Sequence, residues 1–392
     1  MVRPRPSEVA LQPATAGTVA VYVHWPWCAS LCPYCDFDKQ ATDFRLAEPY
    51  AEALIQHLEA TPRRTVHSLY FGGGTPSLLR PDRLARIIAG VGAHMDVQND
   101  WEVTLEANPS DVVPRKVEGY LQAGVNRISL GVQSLVDREL QFLGRRHDAD
   151  KAMRAARALR EAGCVNFSVD LMYGLPGQSQ SDLDRSIEGL VALEPSHISC
   201  YALTLEAETP MGADAAAGRL EVADDDRVAD AYARIQEKLG TAGFDQYELS
   251  NWARPGRQSV HNLTYWRNGE YLGLGAGASG SFMGLRYKRT PIVPVYIESA
   301  ARGGTAYVEI EPWTTESRMR DTVMLGLRLS EGIADAEFVS AHGLSLAEYC
   351  TDRLGDLTQA GVLQWHEGRL ALAPSYYLVS NAVLADILPG LA

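Results

Sequence analysis

The chain has 392 residues, 46% hydrophobic and 22% charged, with a formal net charge of −13. That length allows a large core domain plus smaller units, and the composition is that of an ordinary soluble globular protein. The acidic balance argues against a nucleic-acid grip, which relies on Lys and Arg displacing counterions from phosphates. No stretch approaches the roughly 18 apolar residues of a membrane span. The first residues, Met1 to Pro6, are not followed by the apolar run of a secretory leader. The expected location is the cytoplasm, where thiols stay reduced and clustered cysteines usually mean metal.

Residues 1–17, rich in Pro, Ala and Thr, read as a loose tail. A core follows over 18–205, in which short apolar, β-branched runs alternate with helical stretches. The strand runs are Val19–His24, Ser68–Phe71, Glu102–Glu106, Arg127–Gly131, Asn166–Met172 and His197–Ala202. The helical stretches between them include Tyr50–Ala60, Pro81–His94, Ala149–Ala162 and Ser181–Leu193, the last with acidic residues in its first turn. Alternation of this kind predicts an α/β fold with parallel strands and right-handed crossovers. Six units predict an open, partial (β/α)6 barrel with its chemistry at the carboxyl ends of the strands.

From about 206 the rhythm changes. Residues 206–315 carry an acidic stretch, Asp224 to Asp226, a helix, the segment Tyr247–Trp252 and a Gly-rich run from Gly269 to Gly284, read as an extension of the barrel. Residues 316–392 read as a separate α+β unit. Helices are expected near 316–329, 335–341 and 346–360. A hairpin of Val362–Trp365 and Arg369–Leu372 then turns at Glu367 and Gly368, before a last helix near 376–388. This is a winged-helix shape. Its ten acidic against five basic residues favour a protein-contact or lid role over DNA binding.

Three of the six cysteines, Cys28, Cys32 and Cys35, fall within eight residues in the spacing C-x3-C-x2-C, at the end of the first strand run. Cys164, Cys200 and Cys350 are isolated. Three thiolates on a four-iron cubane leave one iron without a protein ligand, which is what a substrate-binding metal needs. Structural zinc would want a fourth Cys or His at a paired spacing. Beyond the cysteines, Gly72-Gly73-Gly74-Thr75-Pro76 offers close backbone approach after the second strand. Glu106 ends the third strand and Gln133 the fourth. Arg145, beside Arg146, is suited to a bidentate grip on a carboxylate. Asp170 lies inside an apolar strand, costly unless paired, and Tyr22 sits in the first strand, where a core role is equally open.

The cysteine spacing, with Tyr34 before the last cysteine, resembles the radical S-adenosylmethionine (SAM) superfamily. Taken with the other motifs it is similar to the coproporphyrinogen dehydrogenase-like group, over nearly the whole chain from Tyr22 to the winged unit. The resemblance implies a [4Fe–4S] cluster on Cys28, Cys32 and Cys35, with SAM chelated to the open iron and cleaved to a 5′-deoxyadenosyl radical. It also implies SAM contacts from Tyr22, Gly74, Thr75, Glu106, Gln133, Arg145 and Asp170.

Two features separate branches of that group. The true dehydrogenases carry a further cysteine two residues after the third, where this chain has Phe37. The segment His261-Asn262-Leu263-Thr264-Tyr265-Trp266 is similar to the His-Asn…Tyr-Trp motif of the haem-chaperone branch, which implies haem at His261. Relatives often have a histidine where this chain has Ser279. The resemblance implies a haem carrier that delivers haem to respiratory enzymes, with coproporphyrinogen III oxidation or a methyl transfer by a radical enzyme as the alternatives. Membrane-bound acceptors would bring peripheral membrane association. Monomer and dimer both stay open.

Overall fold

The computed structural model describes residues 17–390. The loose tail expected over 1–17 therefore lies, except for Gly17, outside the described residues.

All six expected strands form: β1 (Thr18–Trp25), β2 (Thr65–Gly73), β3 (Asp96–Ala107), β4 (Arg127–Gln133), β5 (Phe167–Tyr173) and β6 (His197–Ala202). They pair in sequence order and in parallel. Their alternate residues are apolar and buried, as in Val19, Val21 and Val23 or Val103 and Leu105. Helices lie between them. The Phe44–Glu59 helix begins six residues before the expected start, capped by the Asp43 carboxylate on the Arg45 amide. The helix expected at Ser181 starts instead at Gln180, because Ser179 and Asp182 form a reciprocal capping box.

The sheet is larger than six strands. On the β6 side two short antiparallel strands, β7 (Asp245–Glu248) and β8 (Asn251–Ala253), extend it. On the β1 side, β9 (Tyr271–Leu274) pairs in parallel with β1, followed by the antiparallel strands β10 (Ser279–Phe282), β11 (Leu285–Arg289) and β12 (Tyr307–Pro312). The result is one twelve-stranded mixed sheet. The Gly-rich run thus supplies two strands of this sheet, Tyr271–Leu274 and Ser279–Phe282, joined by a turn. Gly273 permits it: a Cβ there would stand 1.9 Å from the Ser279 carbonyl oxygen.

The C-terminal residues form the helices Thr315–Gly326, Asp335–His342, Leu346–Tyr349, Arg353–Gln359 and Ser380–Ile387 around a three-stranded sheet of Ile333–Ala334, Leu363–His366 and Arg369–Leu372. The hairpin turns where expected, with Glu367 at φ 48° and Gly368 at φ 76°, the backbone of a tight two-residue turn. The wing has three strands rather than two, and the stretch 346–360 is two helices broken after Tyr349. This unit touches the barrel through an isolated bridge between Glu248 and Leu329 and through the Ser330 amide on the Tyr247 carbonyl.

Candidate functional site

Two cavities open at the carboxyl ends of β1–β6. The smaller, about 340 Å³, is lined by all three clustered cysteines together with Gly74, Thr75, Glu106, Gln133, Arg145 and Asp170. Six of the seven residues expected to contact SAM therefore share one space with the cysteines. Among the described residues no three His, Cys, Asp or Glu side chains close on a single metal ion. The isolated Cys164, Cys200 and Cys350 line neither cavity.

The glycine segment holds the cysteine loop from below. The amides of Gly74 and Thr75 donate to the carbonyls of Trp25 and Trp27, both at 2.8 Å. A Cβ at Gly74 would lie 2.7 Å from each of those oxygens. The loop's far end is tied by the Thr42 hydroxyl and amide to the Cys28 carbonyl and by His24 Nε2 to the Asp38 carbonyl at 2.7 Å.

Arg145 donates to the Gly131 carbonyl at 2.7 Å and approaches the Cys32 sulfur at 3.7 Å. Its buried Nε has no partner. Gly131 leaves room for it: a Cβ there would meet Gln133 Nε2 at 2.9 Å and Arg145 Nη2 at 3.2 Å. Arg146, by contrast, is already paired with Asp111 at 3.0 Å. Gln133 takes φ 72° at the strand end, a conformation that non-glycine residues adopt at a cost and that recurs at functional sites.

Across the cavity are two half-buried carboxylates. Glu106 accepts from the Tyr70 hydroxyl at 2.8 Å, and Asp170 from the Ser129 hydroxyl at 3.3 Å. Burial, with the neighbouring Asp170 charge, pushes Glu106 up to about 7. Burial pushes Asp170 up to about 6. A cation placed between them would restore their charge. The donor set thus fits an amino acid zwitterion: an unsatisfied guanidinium nitrogen for its carboxylate and two carboxylates in need of a cation, beside three thiols that suit iron.

Tyr22 is the exception. Its hydroxyl donates to His24 Nδ1 at 3.0 Å, and it lines the larger cavity, about 1130 Å³, not the one with the cysteines. That larger cavity is rich in aromatic side chains: Tyr22, Tyr70, His261, Tyr265 and Tyr271 line it, with Ser279 at its edge. Phe37, Tyr70, Gly73, Glu106, Tyr201 and Asn262 line both cavities and form the partition between them. Phe37, standing where the dehydrogenases carry their extra cysteine, is 60% exposed at this junction.

His261 is buried on the short helix Val260–Trp266, whose start is anchored by Glu102: its carboxylate accepts from the Ser259 hydroxyl and from the Val260 and His261 amides at 3.2–3.3 Å. Both ring nitrogens of His261 are engaged, Nδ1 with the Ser68 hydroxyl at 3.0 Å and Nε2 with the Tyr265 hydroxyl at 2.7 Å. Burial holds its pKa down at about 3, and the ring stacks on Tyr70 with centroids 4.9 Å apart.

Tyr70, Ser129 and Ser199, which lines the cavity of the cysteines opposite Asp170, carried no sequence expectation. Ser129 and Ser199 are polar residues in buried strands, on the side where Asp170 lies. Tyr70 precedes the glycine run by two residues. Those positions, a polar side chain in an apolar strand close to a turn motif, were the available signal.

Comparison with known proteins follows the same lines. The Radical SAM superfamily profile matches residues 22–190, and the HemN C-terminal domain profile matches residues 314–375. The chain is 34% identical to a Bacillus subtilis protein named Heme chaperone HemW over 374 residues, covering 94% of this chain and 99% of that one. A protein of the same name from Mycobacterium tuberculosis H37Rv is 34% identical over 395 residues, covering 98% and 99%. In fold it is similar to the coproporphyrinogen III oxidase HemN of Escherichia coli, a radical SAM enzyme, with a TM-score of 0.80 at 20% identity, covering 94% of this chain and 89% of that structure. With a third of its residues identical to such relatives along nearly their whole length, the chain belongs to the HemW family of radical SAM proteins.

Proposed function

We propose that this protein is a haem chaperone: it binds haem in the larger cavity, beside a [4Fe–4S] and SAM site, and delivers it to haem-dependent enzymes of the respiratory chain. The observation that carries the reading is the shared partition. A cavity of about 1130 Å³, rich in aromatic rings, adjoins the cysteine-lined cavity across Tyr70 and Glu106. Its volume exceeds the range of ordinary drug-sized sites and suits a flat macrocycle, and its rings offer stacking faces. The name of its relatives supports the same cargo.

Cys28, Cys32 and Cys35 are the cluster ligands in this reading, Gly74, Thr75, Glu106, Gln133, Arg145 and Asp170 hold SAM, and Tyr22 reaches it only through the partition. Cluster and SAM together supply one-electron reductive cleavage of a carbon–sulfur bond. The protein's own part is to orient the amino acid end: Arg145 takes its carboxylate, Glu106 and Asp170 its ammonium. His261 becomes available to the haem iron when its Nε2 parts from Tyr265. The units 18–205, 206–315 and 316–392 then divide the work into cofactor site, haem wall and a C-terminal lid or partner-contact surface. The setting is cytoplasmic, with acceptors reached at a membrane surface.

The test is anaerobic reconstitution followed by haem titration in the visible range, with a parallel assay for decarboxylation of coproporphyrinogen III. Saturable haem binding with no decarboxylated product is the expected result. Sustained turnover replaces the chaperone by an oxidase.

A further inference from the structure

We infer that Arg286 and Lys288 form a carboxylate-recognition edge on the larger cavity and take the two propionates of haem. The inference rests on the haem reading above and adds to it how the macrocycle is oriented.

The two cations occupy alternate positions of β11, so they share one face of the sheet, and both line the larger cavity. Their neighbours on β10 are small and polar: Lys288 pairs with Ser279 and Arg286 with Ser281. Tyr271 stands across from Ser281 and brings the aromatic lining up to this edge. The cavity therefore has an aromatic side, with Tyr22, Tyr70, His261 and Tyr265, and an edge on which two cations stand among acidic residues. Haem has the same division, with an apolar ring and two carboxylates on one side. On β12, Glu309 and Glu311 face Lys288 and Arg286 and line the cavity too. They repel carboxylates, and so confine them to the serine-lined side of the two cations.

Each cation already holds a carboxylate, and the two differ in how firmly. Arg286 reaches Asp321 at 2.7 Å, and Asp321 is 2% exposed and also accepts from Trp313 Nε1. Arg286 is thus fixed in place, with further donors of its planar fork left for a second anion. Lys288 reaches Asp38 at 2.9 Å, with both side chains about one-third exposed: 36% and 31%. That pair is weak and exchangeable. A propionate can replace Asp38 on Lys288 without leaving a buried charge unpaired. Asp38 lies three residues after Cys35, and its carbonyl is bonded to His24.

The experiment compares haem with its dimethyl ester, which keeps the ring and iron and lacks both negative charges. Titrations use the reconstituted protein, as wild type, Lys288→Ala and Lys288→Glu, with cluster iron content as the control for folding. Wild type is expected to bind haem roughly three- to tenfold more tightly than the ester. Lys288→Ala should bring that ratio toward one, and Lys288→Glu should reverse it. Equal binding of haem and ester by wild type overturns the carboxylate edge and leaves the haem reading intact. An unchanged ratio in both variants overturns it as well. Wild type that binds neither compound overturns the haem reading, and this inference with it.

Discussion

The Tyr70 hydroxyl donates to Glu106 Oε1 at 2.8 Å, and this bond lies in the partition between the two cavities. It joins the carboxylate proposed for the SAM ammonium to the aromatic ring that stacks on His261. A change of charge at Glu106 is therefore made next to the proposed haem wall.

Burial pushes Glu106 up to about 7 and Asp170 up to about 6. A carboxyl group raised in the folded state favours the native protein while protonated, so this contribution is present at low pH and is lost as pH rises through the folded pKa. The unliganded protein should lose thermal stability between pH 5 and about 7 from these two groups. A bound ammonium reverses the sign, because it needs both carboxylates ionised. SAM affinity should therefore rise with pH through about 6 and about 7, with proton release on binding. Glu106→Gln should remove the upper step. Calorimetry at several pH values, in buffers of different ionisation enthalpy, measures both. Affinity independent of pH in wild type would take Glu106 and Asp170 out of the ammonium site.

The paired arginines make a sharper test. Arg145 has a buried Nε without a partner, whereas Arg146 is committed to Asp111. Arg145→Ala should weaken SAM binding by roughly tenfold or more, the value of about 1.5–3 kcal/mol for a hydrogen bond to a charged group. Arg146→Ala should leave it nearly unchanged. Both variants should keep their iron, and replacement of Cys28, Cys32 and Cys35 by Ala should remove it. Iron analysis with calorimetry separates the cases. A larger effect from Arg146 would move the carboxylate site to the outer arginine.

The barrel strands were legible because parallel strands buried on both faces are short apolar runs, and turn residues bound them. The carboxylates of Glu106 and Asp170 stood out against those runs for the same reason. Tyr22, expected beside SAM, lines the larger cavity rather than the one with the cysteines. Strand alternation fixes which face a side chain takes, but which of two cavities lies on that face depends on β9, added beside β1 from 250 residues later in the chain. That strand was hidden because its sequence, Tyr271-Leu272-Gly273-Leu274, carries the glycine that lets the Ser279 carbonyl approach. The resemblance favours Arg145 over Arg146, but the pairing of Arg146 with Asp111, which a different loop supplies, is visible only in the fold.

His261 and Tyr265 sit four residues apart on one short helix, one turn from each other, and their side chains meet at 2.7 Å. With Ser68 on the other nitrogen, the imidazole is closed at both ends. Removal of the tyrosine hydroxyl should therefore open it. Tyr265→Phe is expected to bind haem more tightly, by about two- to tenfold, since the iron no longer competes with a hydrogen bond worth about 0.5–1.5 kcal/mol. The same change leaves a buried ring nitrogen unsatisfied in the haem-free protein, and should lower its stability by about 1–3 kcal/mol. His261→Ala should lose haem while keeping its iron–sulfur content, because His261 does not line the cavity of the cysteines. Haem titration and thermal unfolding of the two variants are read together. Tighter haem binding in Tyr265→Phe with loss in His261→Ala places the iron at Nε2. Equal haem loading in wild type and both variants removes His261 from the haem site, and leaves the motif as a buried hydrogen-bonded brace between β2 and the helix that follows β8.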